Sequence, residues 1–477
     1  MDTQNTKKVM FIIPSSVGDY FSAQVPHTGI AYITSVLKRE SIQIKIIDMR
    51  LGYDTSYVLK QIDDFSPDFV GITVYSFGFD RSKDTIDKIK LHNTSYKVIV
   101  GGPYVAAAGE DTLMETRADF AVIGEGEFVM LDLCKGRSPK DITGLIWRDN
   151  GEIVKNEKRR YIEDLNNMPL PDYESFELEK YLGYKEKTLP IVTSRGCPYQ
   201  CIFCSVRLSM GMKFRQRSPE NVVDEIEHWY KKGWKNFQIN DDNFTLDIDR
   251  AMKICSMIVS RGLKITWKAD NGIRADRITD ELLKEMKKSG CIYVSFGVEG
   301  GNNKILNAIK KGEKIETIID SIERTKAAGI DVGVTFIIGN PEERYDDFLD
   351  SLKIAERLPV DNISFYNMIP YPGTEMYEWV EKHGEFLMDK KTFLYNVAHW
   401  KNRPIFQTPE FTEKERIKAY KKAHALYRKK ILQYKLGKKT GWVVSKITSS
   451  DFTEKAAKKI ILTPGIGRTL FNKIKKT

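Results

Sequence analysis

The stretch Pro190-Ile191-Val192-Thr193-Ser194-Arg195-Gly196-Cys197-Pro198-Tyr199-Gln200-Cys201-Ile202-Phe203-Cys204 joins a short apolar run to a loop that carries three of the chain's six cysteines. The first five residues are β-branched-rich and read as a buried strand, which Gly196 and Pro198 bring to an end. The spacing C-x3-C-x2-C therefore puts three thiols on one loop at the carboxyl end of a strand, where βα units keep their chemistry. Three thiolates on one short loop can hold three irons of a 4Fe-4S cube. No fourth cysteine lies nearby, so one iron stays open to a small bidentate ligand such as an amino acid's amine and carboxylate. Zinc is the alternative, but a structural zinc takes four closed ligands, and His228, the next candidate along the chain, has no partner. A disulfide would strand the third thiol and needs an oxidising compartment. Cys255 and Cys291 lie in apolar surroundings and read as small core residues.

Outward from this loop, strand and helix patterns alternate. Strands are expected at 190–194, 236–240, 265–268, 293–297, 332–338 and 362–368, with helices between them, for example at 219–232 and 278–288. Six βα units suit a partial (β/α) barrel over residues 189–380. Upstream, strands at 9–13, 42–47, 69–74, 98–100 and 120–123 alternate with helices at 27–39, 56–65, 83–92 and 111–116. That pattern predicts a doubly wound, Rossmann-like parallel sheet over residues 1–135. Residues 136–188 read as a connector: Asn150-Gly151 between two short strands signals a hairpin, and Pro169 and Pro171 an extended linker. Residues 381–477 read as a mostly helical, basic extension interrupted by Pro464-Gly465. The fold class is thus α/β throughout, with a helical C-terminal region.

The chain has 477 residues with 41% hydrophobic and 29% charged, which argues against wholesale disorder. The polar start and the lack of an apolar run near 20 residues predict a cytoplasmic protein. The net charge of +10 is unevenly placed, because residues 413–477 carry 19 Lys and Arg against 4 Asp and Glu. Such a tail, with Trp442-Val443-Val444 and Ile460-Ile461-Leu462 set among lysines, could make peripheral contact with an acidic membrane, and it also suits a solvated lysine-rich helix. It carries no recognised nucleic-acid-binding motif, so no nucleic acid partner is expected.

The C-x3-C-x2-C loop resembles that of the radical S-adenosylmethionine (SAM) superfamily, and the order of the other strand-end motifs matches it. The resemblance implies a 4Fe-4S cluster on Cys197, Cys201 and Cys204 whose open iron chelates SAM. Reductive cleavage there gives a 5′-deoxyadenosyl radical that removes a hydrogen atom from an unactivated C–H bond. An external low-potential electron donor is implied, and no catalytic side chain is identified. Phe203 takes the aromatic position beside the adenine. Asn240-Asp241-Asp242-Asn243-Phe244 resembles the segment that binds the SAM amino group, which assigns Asp241 and Asp242 to SAM, although an Asx helix cap would read the same way. Arg274 resembles a SAM-contacting arginine and also suits a surface arginine. Glu299, in Phe296-Gly297-Val298-Glu299-Gly300-Gly301, resembles a SAM-contacting glutamate, with Gly300 where the family has serine. Ile338-Gly339-Asn340-Pro341-Glu342-Glu343 and Pro370-Tyr371-Pro372-Gly373-Thr374 resemble the fifth and sixth strand ends.

The first 135 residues resemble the cobalamin-binding domain that precedes the barrel in one branch of that superfamily. This rests on Pro14-Ser15-Ser16, Pro26-His27-Thr28-Gly29, Gly101-Gly102-Pro103 and Gly124-Glu125-Gly126-Glu127, and it assigns Ser15, Thr73, Gly101, Gly102, Gly124 and Glu125 to cobalamin. The motif D-x-H-x-x-G is missing from Pro14-Ser15-Ser16-Val17-Gly18-Asp19, so no protein imidazole is evident as a lower cobalt ligand, and Tyr104 stands where many relatives have histidine. The implied activity is methylation of an unactivated carbon in a small-molecule or lipid substrate. The alternatives are cyclisation, rearrangement or oxidation on the same cofactors, and a non-catalytic cobalamin-binding protein.

Overall fold

A computed structural model describes residues 6–15, 23–389, 393 and 403–437. The tail stretches 442–444, 460–462 and 464–465, and Val17-Gly18-Asp19, lie outside the described residues. Among the described residues no helix is long and apolar enough to cross a membrane.

The first layer alternates β1 (Lys8–Ile13), α1 (Thr28–Arg39), β2 (Gln43–Asp48), α2 (Thr55–Phe65), β3 (Phe69–Thr73), α3 (Phe79–His92), β4 (Lys97–Gly101), α4 (Pro103–Ala108), α5 (Asp111–Glu115), β5 (Phe120–Val122) and α6 (Glu127–Cys134). The five strands are parallel in the order β2-β1-β3-β4-β5. Five consecutive residues of β1, Val9 to Ile13, are buried, the continuous apolar run that a strand covered on both faces requires. Gly71 in β3 makes room for this core, because a Cβ there would stand 2.7 Å from the Phe11 ring. The hairpin β6 (Leu145–Asp149) and β7 (Glu152–Lys155) then adds two antiparallel strands to the edge of the same sheet. Its turn has both Asn150 (φ 48) and Gly151 (φ 95) left-handed, the conformation for which Asn-Gly is selected.

Residues 165–184 run as short 3₁₀ turns across the junction of the two halves. They are packed rather than extended: the Tyr181 hydroxyl donates to Asp48 (2.7 Å) of the first sheet, and the Tyr173 hydroxyl to the Pro190 carbonyl (2.8 Å) of the second.

The second layer comprises β8 (Thr188–Ile191), β9 (Ser194–Arg195), α7 (Val206–Ser209), β10 (Arg215–Gln216), α8 (Pro219–Lys231), β11 (Asn236–Ile239), α9 (Ile248–Ser260), β12 (Thr266–Ile273), α10 (Asp280–Lys288), β13 (Cys291–Glu299), α11 (Asn303–Ala308), α12 (Ile315–Ala327), β14 (Asp331–Ile338), α13 (Tyr345–Arg357) and β15 (Asn362–Asn367). Six strands, β8, β11, β12, β13, β14 and β15, are parallel and neighbours in chain order, as in a partial barrel. The first of them does not run over 190–194 as expected. It ends at Ile191, and Ser194–Arg195 pairs antiparallel with Arg215–Gln216. The cause is the Asp241 carboxylate, which accepts from the Thr193 amide and both the Thr193 and Ser194 hydroxyls and draws the chain off the ladder. Beyond the barrel, α14 (Glu375–His383) leads to the hairpin β16 (Glu385–Phe386) and β17 (Phe406–Gln407), and α15 (Glu413–Leu436) packs on β15 and α13.

Candidate functional site

The cysteine loop follows β9 and is held from three sides. Gly196 turns it with φ 84, and a Cβ there would stand 2.5 Å from the Lys213 carbonyl, so glycine is required. The Gly196 amide donates to Asp242 (3.0 Å), the Cys197 amide to the Gly211 carbonyl, and the Ile202 amide to the Ile309 carbonyl. Tyr199 lies under the Arg274 guanidinium, 3.5 Å from its ring centre. Cys197, Cys201 and Cys204 are free, half-buried thiols. They stand close enough that charge on one opposes charge on another, and burial pushes all three above the ordinary thiol range, Cys204 to about 11. Such thiols keep their protons until a metal replaces them. Among the described residues no three His, Cys, Asp or Glu side chains converge on one ion. Three thiols on one strand-end loop, each able to take a separate corner, are a donor set that suits a 4Fe-4S cube with one iron left open.

The strand ends beside the loop sort the other residues expected at a SAM site. Asp242 faces the cavity and, among the described residues, accepts from the Gly196 amide alone, and burial raises it to about 6. Next to it the Asn240 Oδ1 is buried without a hydrogen-bond partner and also lines the cavity. A buried acceptor beside a spare carboxylate fits an ammonium group. Asp241 differs: its carboxylate is only 1% exposed and is taken up by Thr193 and Ser194, so it shapes the loop and offers no free oxygen to a ligand. Arg274 is buried rather than a surface arginine. It donates to Asp276 and to the Lys311 and Gly312 carbonyls and supports the cysteine loop through Tyr199. Glu299 sits where a register shift between Gly297 and Glu299 bulges β13, with φ 65. Its carboxylate lies 3.5 Å from the buried Lys311 Nζ. Burial works against that ammonium, and Glu299 and Glu313 outweigh it and hold Lys311 charged. Phe203 is half-buried against the core.

A cavity of about 500 Å³ opens between the two sheets. Thr73, Gly101, Gly102, Gly124 and Glu125 line it from strand ends of the first sheet, and Ser194, Arg195, Asn240, Asp242 and Asn271 from the second. Gly102 has φ 112, and a Cβ there would meet the Val74 carbonyl at 2.8 Å, so the backbone itself forms the wall. A glycine-walled cradle at parallel strand ends fits a large flat cofactor. Ser15, two residues beyond β1, does not line this cavity. His27 does, but its Nδ1 accepts from the Ile30 amide and its Nε2 meets the Tyr75 hydroxyl at 2.9 Å. Burial and then Arg50 lower it to about 4, so it is a neutral helix cap with both nitrogens engaged. Tyr104 points away, its hydroxyl donating to Glu115.

One feature beside the cavity has no signal in the local sequence. Glu125, expected at a cobalamin site, accepts from Arg195 (2.7 Å), from Arg215 (2.8 and 2.9 Å) and from the Ile162 amide (2.6 Å). Arg195 also reaches Glu127 at 2.8 Å. The Arg195 guanidinium lies over Tyr32 and that of Arg215 over Tyr161. Both carboxylates were visible in Gly124-Glu125-Gly126-Glu127 and Arg195 in the cysteine motif, but nothing local in the sequence pairs them.

Two family models match the chain: the Radical SAM superfamily over residues 191–355 and the B12 binding domain over residues 15–133. An uncharacterized methyltransferase of Pyrococcus horikoshii is 31% identical over 92% of this chain and 96% of its own length. The cytidylyl-2-hydroxyethylphosphonate methyltransferase of Streptomyces wedmorensis is 26% identical over 87% of this chain and 89% of its own. Among solved structures, the radical SAM methyltransferase TsrM of Kitasatospora setae, with cobalamin and a 4Fe-4S cluster bound, superposes with a TM-score of 0.73 at 17% identity, over 95% of this chain and 100% of that one.

Proposed function

This chain belongs to the radical SAM superfamily, in the branch whose barrel follows a B12-binding domain, and from that premise we propose that it is a cobalamin-dependent methyltransferase acting on an unactivated carbon of a small-molecule or lipid substrate. The observation that carries the reading is the single cavity walled by strand ends of both sheets, with the cysteine loop beside it. When bound, SAM and the reduced cluster supply a 5′-deoxyadenosyl radical, and methylcobalamin supplies the methyl group.

The chain's own residues do the holding and orienting. Cys197, Cys201 and Cys204 hold three irons. Asp242 and the Asn240 Oδ1 would take the ammonium of SAM, Phe203 would stand beside its adenine, and Glu299, re-aimed by the bulge, would contact SAM as well. Arg274 and Asp241 hold the loop that carries these groups. Gly101, Gly102 and Gly124, with Thr73, would cradle the corrin. His27 gives cobalt no nitrogen while its own bonds to Ile30 and Tyr75 stand.

The test is anaerobic reconstitution followed by iron, sulfide and cobalt analysis, then turnover with SAM labelled in its methyl group and a low-potential reductant. Four irons and one cobalt per chain, reductant-dependent 5′-deoxyadenosine, and label passing through cobalamin into product are expected. Cys201→Ala should abolish 5′-deoxyadenosine formation. A product free of label would refute methyl transfer.

A further inference from the structure

Four charged side chains from distant parts of the chain meet beside the cavity, and three of them, Glu125, Glu127 and Arg195, line it. Glu125 and Glu127 come from the turn that starts α6, and Arg195 and Arg215 from the short β9–β10 pair. Arg195 immediately precedes Gly196 and Cys197. Its two terminal nitrogens are divided between Glu125 (2.7 Å) and Glu127 (2.8 Å), so one guanidinium spans the whole turn. Arg215 completes the lattice on Glu125 and anchors it to the Ile162 and Met210 carbonyls. All four are buried, with Arg195 and Arg215 side chains 9% and 1% exposed. Two positive and two negative charges balance.

A balanced lattice out of water moves as a body, because a charge that shifts alone is left buried and unpaired. Gly124, Glu125, Gly126 and Glu127 form one wall of the cavity on the first sheet's side, and Ser194 and Arg195 form another on the barrel side. Arg195 is thus a rigid tie between the turn that a cavity ligand presses on and the root of the cysteine loop. We infer that this lattice couples occupation of the cobalamin cradle to the placement of the cysteine loop, with Arg195 as the positioning residue for both. The inference rests on the cofactor sites proposed above.

The experiment measures the dissociation constant of hydroxocobalamin by absorption titration on the same protein with and without its reconstituted cluster. The ratio of the two constants is the coupling, and linkage makes it reciprocal. Full-length wild type should show a ratio of at least about fivefold. Glu127→Gln, which loosens only one arm of Arg195, should bring it below about twofold. Arg195→Lys, which keeps the charge but cannot bridge two carboxylates, should do the same. Because each ratio is taken within one variant, a general loss of stability cancels. The electron paramagnetic resonance spectrum of the reduced cluster gives a second readout: cobalamin should shift it in wild type and not in Glu127→Gln. A wild-type ratio near one, or a ratio unchanged in both variants, overturns the coupling while leaving the cofactor assignment intact. Wild type that binds no cobalamin overturns both.

Discussion

Asp241 and Asp242 are adjacent carboxylates with opposite duties. Asp241 is saturated by Thr193 and Ser194, so Asp241→Asn turns an amide donor toward groups that already donate and leaves a buried group unpaired. A loss of about 2 kcal/mol in a urea unfolding midpoint is expected, even for the metal-free chain. Asp242 has one partner and spare acceptor capacity, so Asp242→Asn should leave that midpoint nearly unchanged and weaken SAM binding by roughly tenfold or more in equilibrium dialysis. Glu343 gives a pH signature. It is buried under the Gly339 and Asn340 amides, and burial raises it to about 7 from the ordinary 4.5. Between those values the folded chain holds a proton that the unfolded chain has lost. Stability therefore falls as pH rises from about 4.5 to about 7, and Glu343→Gln, which still accepts from both amides, should flatten that slope in urea midpoints taken across the range.

At the scale of elements, the ends matter more than the bodies. The bulge in β13 places Glu299 beside Lys311, with the Glu299 carboxylate folded back over Gly297, where a side chain would displace it. The same economy anchors α15. Its Arg416 is 1% exposed and donates to the Ile338 and Phe406 carbonyls, with its guanidinium 4.2 Å from the Phe406 ring centre. This helix thus closes the end of β14, and Asn340, two residues beyond that strand, donates to the Glu299 carbonyl. Arg416→Met strands two buried carbonyls, and a loss of about 3 kcal/mol is expected by chemical denaturation. If α15 were an independent appendage, that substitution would leave the midpoint unmoved. The strand–helix alternation behind these elements was legible, since the period of buried residues is a local property. The missed break after Ile191 was not, because the Asp241 that causes it lies 48 residues from Thr193.

As a whole molecule the two sheets are one body rather than two beads. The first sheet, the 3₁₀ segment and the barrel are tied by Tyr181 to Asp48, Tyr173 to Pro190, and the Glu125–Arg195–Arg215 lattice. A ligand that binds the cavity should therefore stabilise both halves together. At a cobalamin concentration about 100 times its dissociation constant the gain is about 2.7 kcal/mol. In hydrogen exchange it should appear in β4 of the first sheet and in β8 of the second alike. Protection confined to the first sheet would mean that the halves open independently.

The βα order, the Asn150-Gly151 hairpin turn and the three thiols on one strand-end loop are legible in the chain alone. These depend on residues a few positions apart, within reach of periodicity, turn chemistry and spacing. Three-dimensional packing alone reveals that the hairpin extends the first sheet, that Asp241 and Glu125 are consumed by neighbours while Asp242 keeps spare acceptor capacity, and that Arg195 joins the two halves. Glu125 lies 70 residues from Arg195 and 90 from Arg215. Which buried charges meet across such distances is set by how the sheets dock, and no local pattern in the chain records it.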